Sequence, residues 1–158
     1  MALILVVPGS PEVAGRQGSW IAALEPWASL GYGAAGLARF LRRTARGGGV
    51  LVARRDARSG PVVGVLCRQE GVLLGDFVSL LAVRSDAARG GVGRALMREA
   101  ELLTARRRRW LFVSADAGNR AALAFYRKLG FARVGRLPGL IKDGRTELLL
   151  RKAARSSA

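Results

Sequence analysis

The sequence predicts one α/β domain with a mixed, mostly antiparallel sheet, and three observations indicate that fold class. A chain of 158 residues suits a single hydrophobic core and is short for two. Its first half contains apolar or alternating runs separated by turn residues, which is typical of an antiparallel meander. Its second half alternates helical and strand patterns, without an internal repeat. We place the domain at residues 1–152 and a frayed tail at residues 153–158.

The amino-terminal third is predicted to hold one strand and two helices. The apolar run from Leu3 to Val7 indicates the strand. Helical spacing of apolar residues continues from Pro11 to Leu30 and is interrupted at Pro26, because proline lacks the N–H that a helix interior needs. A second helix is expected from Gly33 to about Thr44, before three consecutive glycines.

The middle of the chain is predicted to form the antiparallel part of the sheet. Strands are expected at Val50–Arg54, Val62–Arg68 and Val72–Val83. Turn-forming residues, including Gly71, separate these runs.

The second half is predicted to continue with a helix, a buried strand and two more strands. The buried strand is expected at Trp110–Ala115, and the last two at Phe131–Leu137 and Thr146–Arg151. The helix before them has its apolar stripe at Val92, Leu96, Ala100 and Leu103.

The segment from Asn119 to Phe131 predicts a short helix with defined ends. Asn119 suits the N-cap, and Gly130 supplies the left-handed residue that ends the helix. The apolar face has the spacing i, i+3, i+4 and i+7, and consists of Ala122, Phe125, Tyr126 and Leu129. A tyrosine is therefore fixed at one point of this helix.

The composition narrows the classes of partner. There are 27 basic and 11 acidic residues, for a formal charge of +16. This charge favours anions, such as nucleic acid, an acidic acceptor or the phosphates of a nucleotide cofactor. Codon drift toward arginine in a GC-rich genome is the alternative explanation of the total.

Several kinds of site and location are excluded or disfavoured. The chain has no histidine and one cysteine, so the common transition-metal sites cannot be assembled, and we expect no metal. The apolar runs are far shorter than the ~20 residues of a membrane-spanning helix, so no membrane segment is expected. Cys67 without a partner cysteine and the lack of a basic leader favour the cytoplasm.

Two segments, Leu81–Met97 and Asn119–Phe131, resemble in order and spacing the acyl-CoA-binding half of the GCN5-related N-acetyltransferases, the GNAT family. The resemblance implies helices on both faces of the sheet and a splayed cleft that binds acetyl-CoA, with a CoA thioester of a longer acyl group as the alternative. It further implies transfer of the acetyl group to a primary amine, on a small molecule or a peptide N-terminus. In such enzymes the amine attacks directly within a ternary complex, without a covalent enzyme intermediate.

The glycine-rich turn is a candidate diphosphate-binding loop. Successive backbone N–H groups at a helix start attract phosphates, and side chains at Gly91 or Gly93 would block that approach. The family has Gln or Arg at the position of Ala88, and Arg89 could supply that charge instead; a plain glycine turn is the alternative. By resemblance, the cofactor-binding residues of this segment are Ala88, Arg89, Gly90, Gly91, Val92, Gly93 and Arg94.

The strand before this loop is the second expected cofactor contact. In the family its backbone pairs with the pantetheine arm, which implies a cofactor-binding role for Leu81, Ala82 and Val83. The same resemblance implies that this strand splays from Trp110–Ala115. The alternative for both strands is an ordinary place in the core.

Tyr126 is the expected catalytic residue, because many family members carry a tyrosine there that protonates the departing CoA thiolate. Its ordinary pKa of about 10 keeps the proton in place at neutral pH. By resemblance Tyr126 and Asn119 also contact the cofactor. The alternatives are a core tyrosine and a plain helix cap.

The sequence leaves the general base open. Ser79 stands where several family members have a glutamate. Asp76, Glu25 and Glu147 remain as carboxylates that could act directly or through water. For each of them a surface or structural role is the alternative.

Trp27 and Tyr32 are the expected acceptor-binding residues. They lie between the first two helices, where this fold covers the acceptor, in a pattern similar to that of a bacterial branch of the family. A turn with core aromatics is the alternative. The charge of +16 disfavours polycationic acceptors and favours an acidic amine or a peptide N-terminus on an acidic or ribosome-associated partner.

A second class of function is a basic nucleic-acid-binding or ribosome-binding module with a vestigial transferase fold. The departures at Ala88 and Ser79 motivate it, but the arginines are scattered and not interleaved with aromatics. Cys67 lacks a histidine partner and is expected to be a core residue. A homodimer is left open.

Overall fold

The structure is a computed structural model, and it describes residues 2–156. Its helices are α1 Pro11–Gly15, α2 Gly18–Ala22, α3 Ala34–Arg46, α4 Val92–Ala105 and α5 Arg120–Lys128. Its strands are β1 Ile4–Pro8, β2 Val50–Arg55, β3 Val62–Val72, β4 Gly75–Val83, β5 Trp110–Asp116, β6 Ala132–Pro138 and β7 Thr146–Ala153.

The strands form one sheet in the order β1-β2-β3-β4-β5-β7-β6. Antiparallel pairing joins β1 to β2, β2 to β3, β5 to β7 and β7 to β6. Strand β4 runs parallel to β5. The predicted fold class, a mixed and mostly antiparallel sheet with helices around it, is confirmed.

The chain divides into two compact units, and the first contains residues 2–68 and 80–100. Helices α1 to α3 pack with one face of the strands in this unit. A side chain at Gly64 would come within 2.6 Å of Val92 and 2.9 Å of Leu96, so glycine lets α4 approach β3 closely on the other face. The buried cluster beneath α1 to α3 consists of Ala14, Ile21, Leu37, Leu41, Ala45, Val50, Val52, Val62, Val65, Cys67, Leu80 and Ala82.

The second unit contains residues 69–79 and 101–156. Its centre is the strand trio β5, β7 and β6, in that order. Its buried residues include Leu111, Phe112, Val113 and Ala115 of β5 and, at alternate positions, Leu148 and Leu150 of β7. The Nζ of Lys152 binds the carboxylate of Glu101 at 2.9 Å and ties β7 to the end of α4.

The predicted helix from Pro11 to Leu30 is wrong in its extent. It consists of α1 and α2, which are separated at Arg16 and Gln17, and residues 23–31 form turns and a bend. The Gln17 side chain donates to the Val13 carbonyl and accepts from the Trp20 indole, each at 2.8 Å, and these bonds span the break.

The turn between β3 and β4 lies beyond its predicted place at Gly71. Strand β3 continues to Val72, and Leu73 and Leu74 turn the chain with φ angles of 51° and 62°. Two successive left-handed residues suit a type I′ hairpin, which Asn and Gly normally form. Leucines are not turn formers, so the sequence carried no signal for this turn.

The end of the chain is hydrogen-bonded further than a frayed tail from residue 153 implies. Strand β7 includes Ala153. The Ala154 N–H donates to the Arg109 carbonyl at 2.8 Å, and the Arg155 N–H donates to Glu101 at 3.1 Å. Met1 at the start of the expected domain, and Ser157 and Ala158 of the expected tail, lie outside the described residues.

Candidate functional site

The segment between β4 and α4 is anchored at both ends in the first unit. The Arg84 N–H donates to the Val63 carbonyl at 2.9 Å, and the Arg84 guanidinium binds Asp86 at 3.2 Å. At the other end, Val92 is buried where α4 begins. Residues 88–91 between these anchors are exposed.

The backbone of this exposed turn has the features of an anion site. Arg89 and Gly91 have φ angles of 63° and 81°, and a Cβ at Gly91 would meet no heavy atom within 4 Å. The first helical bond of α4 runs from the Ala95 N–H to the Gly91 carbonyl at 3.0 Å. The N–H groups of residues 92–94 are therefore those that a helix start leaves without an internal partner, at its positive end. These residues suit a diphosphate, and their role in binding one stays a prediction.

The end of β4 carries the other predicted cofactor contacts. Ala82 is buried in the cluster beneath α1 to α3, and Leu81 and Val83 are half-buried. Register pairs join β4 to β5 from Gly75 to Phe77, and within residues 2–156 the register contains no pair between these strands beyond Phe77. The expected splay and cofactor binding by residues 81–83 stay predictions.

Helix α5 of the second unit has the ends that the sequence predicts. The Asn119 side-chain oxygen accepts the N–H of Ala122 at 3.1 Å, which confirms the N-cap. Gly130 follows the helix with a φ of 97°, which confirms the stop. Asn119 is exposed, and its contact with a cofactor stays a prediction.

Tyr126 is buried on α5 among aromatic rings. Its ring meets Phe125 edge to face at a centroid distance of 5.2 Å and Phe131 at 5.7 Å. Burial, and secondly the negative charge of Glu147, raise the pKa of Tyr126 to about 12. The phenol therefore holds its proton throughout the physiological range.

Two of the three candidate bases, Asp76 and Glu25, accept hydrogen bonds from neighbouring protein groups. Asp76 is 1% exposed, accepts the Thr104 hydroxyl hydrogen bond at 2.8 Å and lies 3.8 Å from the Arg108 guanidinium. Glu25 is exposed and accepts the N–H of Ser29 at 3.3 Å. Ser79, at the position of the family glutamate, is exposed.

The third carboxylate, Glu147, lies half-buried on β7 in the same unit as Tyr126. It is the register partner of Asp116 on β5. Burial, then the charge of Asp116, raises the pKa of Glu147, while the Ser114 hydroxyl and Arg145 act in the opposite direction. Sequence motifs gave no signal for Ser114, Asp116 or Arg145, because only the register of β5 against β7 brings them together.

The predicted acceptor residues differ in their surroundings. Trp27 is half-buried and packs against the core of the first unit. Tyr32 is 49% exposed, and its N–H donates to the Trp27 carbonyl at 3.1 Å. Both therefore lie in one turn, and only the Trp27 side chain packs against the core.

The part of the chain that the structure describes contains no reactive cysteine, no metal-binding cluster and no membrane-spanning helix. Cys67 is fully buried, and burial raises the pKa of its thiol to about 12, which suppresses the nucleophilic thiolate. No cluster of three or more metal-ligating side chains occurs among residues 2–156. None of the described helices is long and apolar enough to span a bilayer.

Comparison with known proteins gives a family and a fold. Residues 46–133 match the family model of the acetyltransferase (GNAT) domain. A search of curated proteins found no sequence match.

Solved structures of GNAT proteins share the fold along nearly the whole chain. A GNAT-family acetyltransferase from Bacillus cereus superposes with a TM-score of 0.78 at 14% identity, covering 97% of this chain and 99% of the other. NAA60 from Arabidopsis thaliana, in complex with a bisubstrate analogue, gives 0.75 at 18% identity, with coverage of 98% and 100%.

A third solved structure is the ribosomal-protein-alanine N-acetyltransferase from Brucella melitensis. It superposes with a TM-score of 0.72 at 26% identity, covering 94% of this chain and 99% of the other. The family model spans more than half of the 158 residues, and the fold agrees with it. The chain therefore belongs to the GNAT family of acetyltransferases.

Proposed function

We propose that this protein transfers an acetyl group from acetyl-CoA to a primary amine, which attacks directly within a ternary complex. The observation that carries the proposal is the position and burial of the Tyr126 phenol. It is a buried phenol that keeps its proton at neutral pH, at a defined point of a capped helix in a GNAT domain. Such a group is suited to protonate a thiolate as it leaves, which is the proton transfer that acyl transfer from a thioester needs.

The glycine-rich turn is proposed to hold the diphosphate of the cofactor. Residues 88–94 offer a helix start and exposed backbone, and Arg89 adds a positive charge. Residues 81–83 and Asn119 are proposed to contact the pantetheine arm. When bound, acetyl-CoA supplies an activated thioester, while the chain binds it and moves protons.

The acceptor is proposed to be a peptide N-terminus or a small neutral or acidic amine. The Brucella structure is named a ribosomal-protein-alanine N-acetyltransferase, and the likeness to it favours a peptide acceptor. The charge of +16 disfavours a polyamine. Trp27 and Tyr32 are proposed to contact the acceptor, and faster turnover of a polyamine than of a neutral peptide would contradict this acceptor class.

The proposed setting is the cytoplasm, without a metal. We propose that residues 1–152 act as one catalytic domain. A homodimer stays a hypothesis, for which sedimentation at several protein concentrations is the test.

A nucleic-acid-binding role is the second candidate, and the exposed run Arg106–Arg109 after α4 favours it. Binding of this kind would weaken steeply with salt and would not depend on acetyl-CoA. RNA binding that is unchanged by saturating acetyl-CoA, together with absence of acetyl transfer, would replace the first proposal.

The direct test of the proposal is product formation. The protein is incubated with acetyl-CoA and a set of short peptides that differ at their free N-terminal residue, together with simple amines. Thiol release and product mass are then measured. We expect one acetyl group on at least one amine, with equal release of CoA. Thiol release without an acetylated amine would contradict the amine acceptor.

A further inference from the structure

The first residues of β7 place a carboxylate in the middle of the strand trio of the second unit. Glu147 is the register partner of Asp116 on β5 and of Leu137 on β6. Side chains of directly opposed residues lie on one face of a sheet, about 4.5–5.5 Å apart at Cβ. Glu147 and Asp116 therefore form a carboxylate pair on one face.

The two carboxylates have different partners. Asp116 binds the Arg145 guanidinium at 2.8 Å and accepts the Gly118 N–H at 2.7 Å. Both contacts lower the pKa of Asp116. Glu147 forms no ion pair within 4 Å with any residue in 2–156, and the Ser114 hydroxyl acts to lower its pKa. Arg145 thus forms its ion pair with Asp116, and the Glu147 carboxylate remains able to bind a cation such as an ammonium group.

The pKa of Glu147 is raised, which is the direction that favours a general base. Burial, and then repulsion by Asp116, raises its pKa, and the Ser114 hydroxyl and Arg145 counteract the rise only in part. A carboxylate becomes a better proton acceptor as its pKa approaches the working pH. Two neighbouring carboxyl groups whose surroundings separate their pKa values are a common arrangement in acid–base sites.

Glu147 also influences the pKa of Tyr126, the expected general acid. Its charge is the second cause, after burial, of the raised pKa of Tyr126. Base and acid are therefore close enough to influence each other electrostatically, and both belong to the second unit.

We propose that Glu147 is the general base, which takes a proton from the ammonium group of the acceptor. This inference rests on the proposed function. The Glu147 carboxylate accepts the proton, and the neutral amine forms the new C–N bond at the thioester carbonyl carbon while the C–S bond breaks. Tyr126 donates its proton to the leaving sulfur and regains one from the amide nitrogen. Glu147 releases its proton to solvent.

The first test is the pH dependence of turnover, with acetyl-CoA and a short peptide that has a free N-terminal alanine. For the wild type we expect kcat/KM to rise with pH through the ionisation of Glu147. Glu147→Gln should lower kcat by about 10²–10⁴-fold and leave the KM for acetyl-CoA unchanged. The variant should also lack this rise of kcat/KM on the acidic side of the profile, which we call the acidic limb. Glu147→Asp should keep the limb and part of the rate.

Two variants separate catalysis from structure. Asp116→Asn removes the neighbouring charge and frees Arg145, so the acidic limb of the wild-type profile should move to lower pH. Glu99→Gln removes a carboxylate of the same type on α4 and should leave rate and profile unchanged. A Glu147→Gln enzyme with the wild-type rate and acidic limb would overturn the inference while leaving the acetyltransferase proposal intact.

The second test needs no acceptor and no turnover. The chain has two tyrosines, so a Tyr32→Phe background leaves Tyr126 as the sole phenol. Ultraviolet absorbance during an alkaline titration then reports the ionisation of Tyr126 directly. Adding Glu147→Gln should shift this ionisation to lower pH, because a neighbouring negative charge is removed. An unchanged titration would place Glu147 away from Tyr126 and overturn the inference even if no amine were acetylated.

Discussion

Tyr126 has an observed role in packing and a proposed role in proton transfer. Its ring packs against Phe125 and Phe131, and burial raises the pKa of its hydroxyl to about 12. Replacement by phenylalanine keeps the ring and removes the proton, so it separates the two roles.

At the residue scale, we expect Tyr126→Phe to lower kcat by about 10²–10⁴-fold, because the leaving thiolate loses its proton donor. The affinity for acetyl-CoA, measured by calorimetry, should change little, since the ring remains. Unfolding in urea at neutral pH serves as the control for packing. A variant with full kcat would assign Tyr126 to the core alone.

The raised pKa of Tyr126 predicts how the free energy of unfolding changes at alkaline pH. The folded-state pKa of about 12 exceeds the unfolded value of about 10. Below pH 10 the phenol is protonated in both states, and between pH 10 and 12 it ionises first in the unfolded chain. The free energy of unfolding should therefore fall by about 3 kcal/mol over this range through Tyr126.

Urea unfolding at pH 9 and pH 12 tests this with Tyr126→Phe as the comparison. The variant should lose less stability than the wild type over that interval. All other groups are the same in the two proteins, so their effects cancel in the comparison. Equal losses in the two proteins would show that Tyr126 ionises with an ordinary pKa.

At the element scale, the buried Asp76 connects β4 to the end of α4 within the second unit. Its carboxylate accepts the Thr104 hydroxyl at 2.8 Å and the Gly71 N–H at 3.4 Å. Both Asp76 and Thr104 are almost fully buried. A buried carboxylate that loses a donor retains its desolvation cost, so this bond is expected to matter for stability.

We expect Thr104→Val to lower the free energy of unfolding by about 1–3 kcal/mol, measured in urea. Thr44→Val is the matched control, because the Thr44 hydroxyl donates at 2.8 Å to the Phe40 carbonyl, an acceptor within the same helix. That change should cost less than about 1 kcal/mol. Similar losses for both variants would contradict a special role for the Asp76 contact.

Elements with local signals were predictable from the sequence. The N-cap Asn119 and the left-handed Gly130 are local, and α5 forms between them as expected. The break at Arg16 and Gln17 and the turn at Leu73 and Leu74 were missed. Side-chain bonds of Gln17 span the break, and the leucines occupy a turn that their own propensity disfavours.

The candidate site was predictable only where a motif marks it. Residues 88–94 and Tyr126 belong to contiguous segments with recognisable spacing. Glu147 could be named from sequence only as one carboxylate among several. Its pairing with Asp116 depends on the register of two strands separated by a helix, a strand and a loop, which no local pattern fixes.

At the scale of the whole molecule, a charge of +16 attracts many polyanions without selectivity. Any test of cofactor binding must therefore compare acetyl-CoA with anions of similar charge. A second comparison within the chain is available, because Gly91 and Gly48 have φ angles of 81° and 77°, and a Cβ added at either would meet no heavy atom within 4 Å. Gly91→Glu and Gly48→Glu thus change charge and backbone strain equally, but only the first lies in the glycine-rich turn.

The most direct measurement is calorimetric titration of acetyl-CoA near physiological salt, with ADP and inorganic diphosphate as controls. We predict saturable one-to-one binding of acetyl-CoA, tighter than that of either control. Gly91→Glu should weaken it about tenfold or more, through the added like charge, and Gly48→Glu should not. Acetyl-CoA binding no tighter than that of diphosphate, or equal weakening by both variants, would contradict an acetyl-CoA-dependent transferase with its cofactor at residues 88–94.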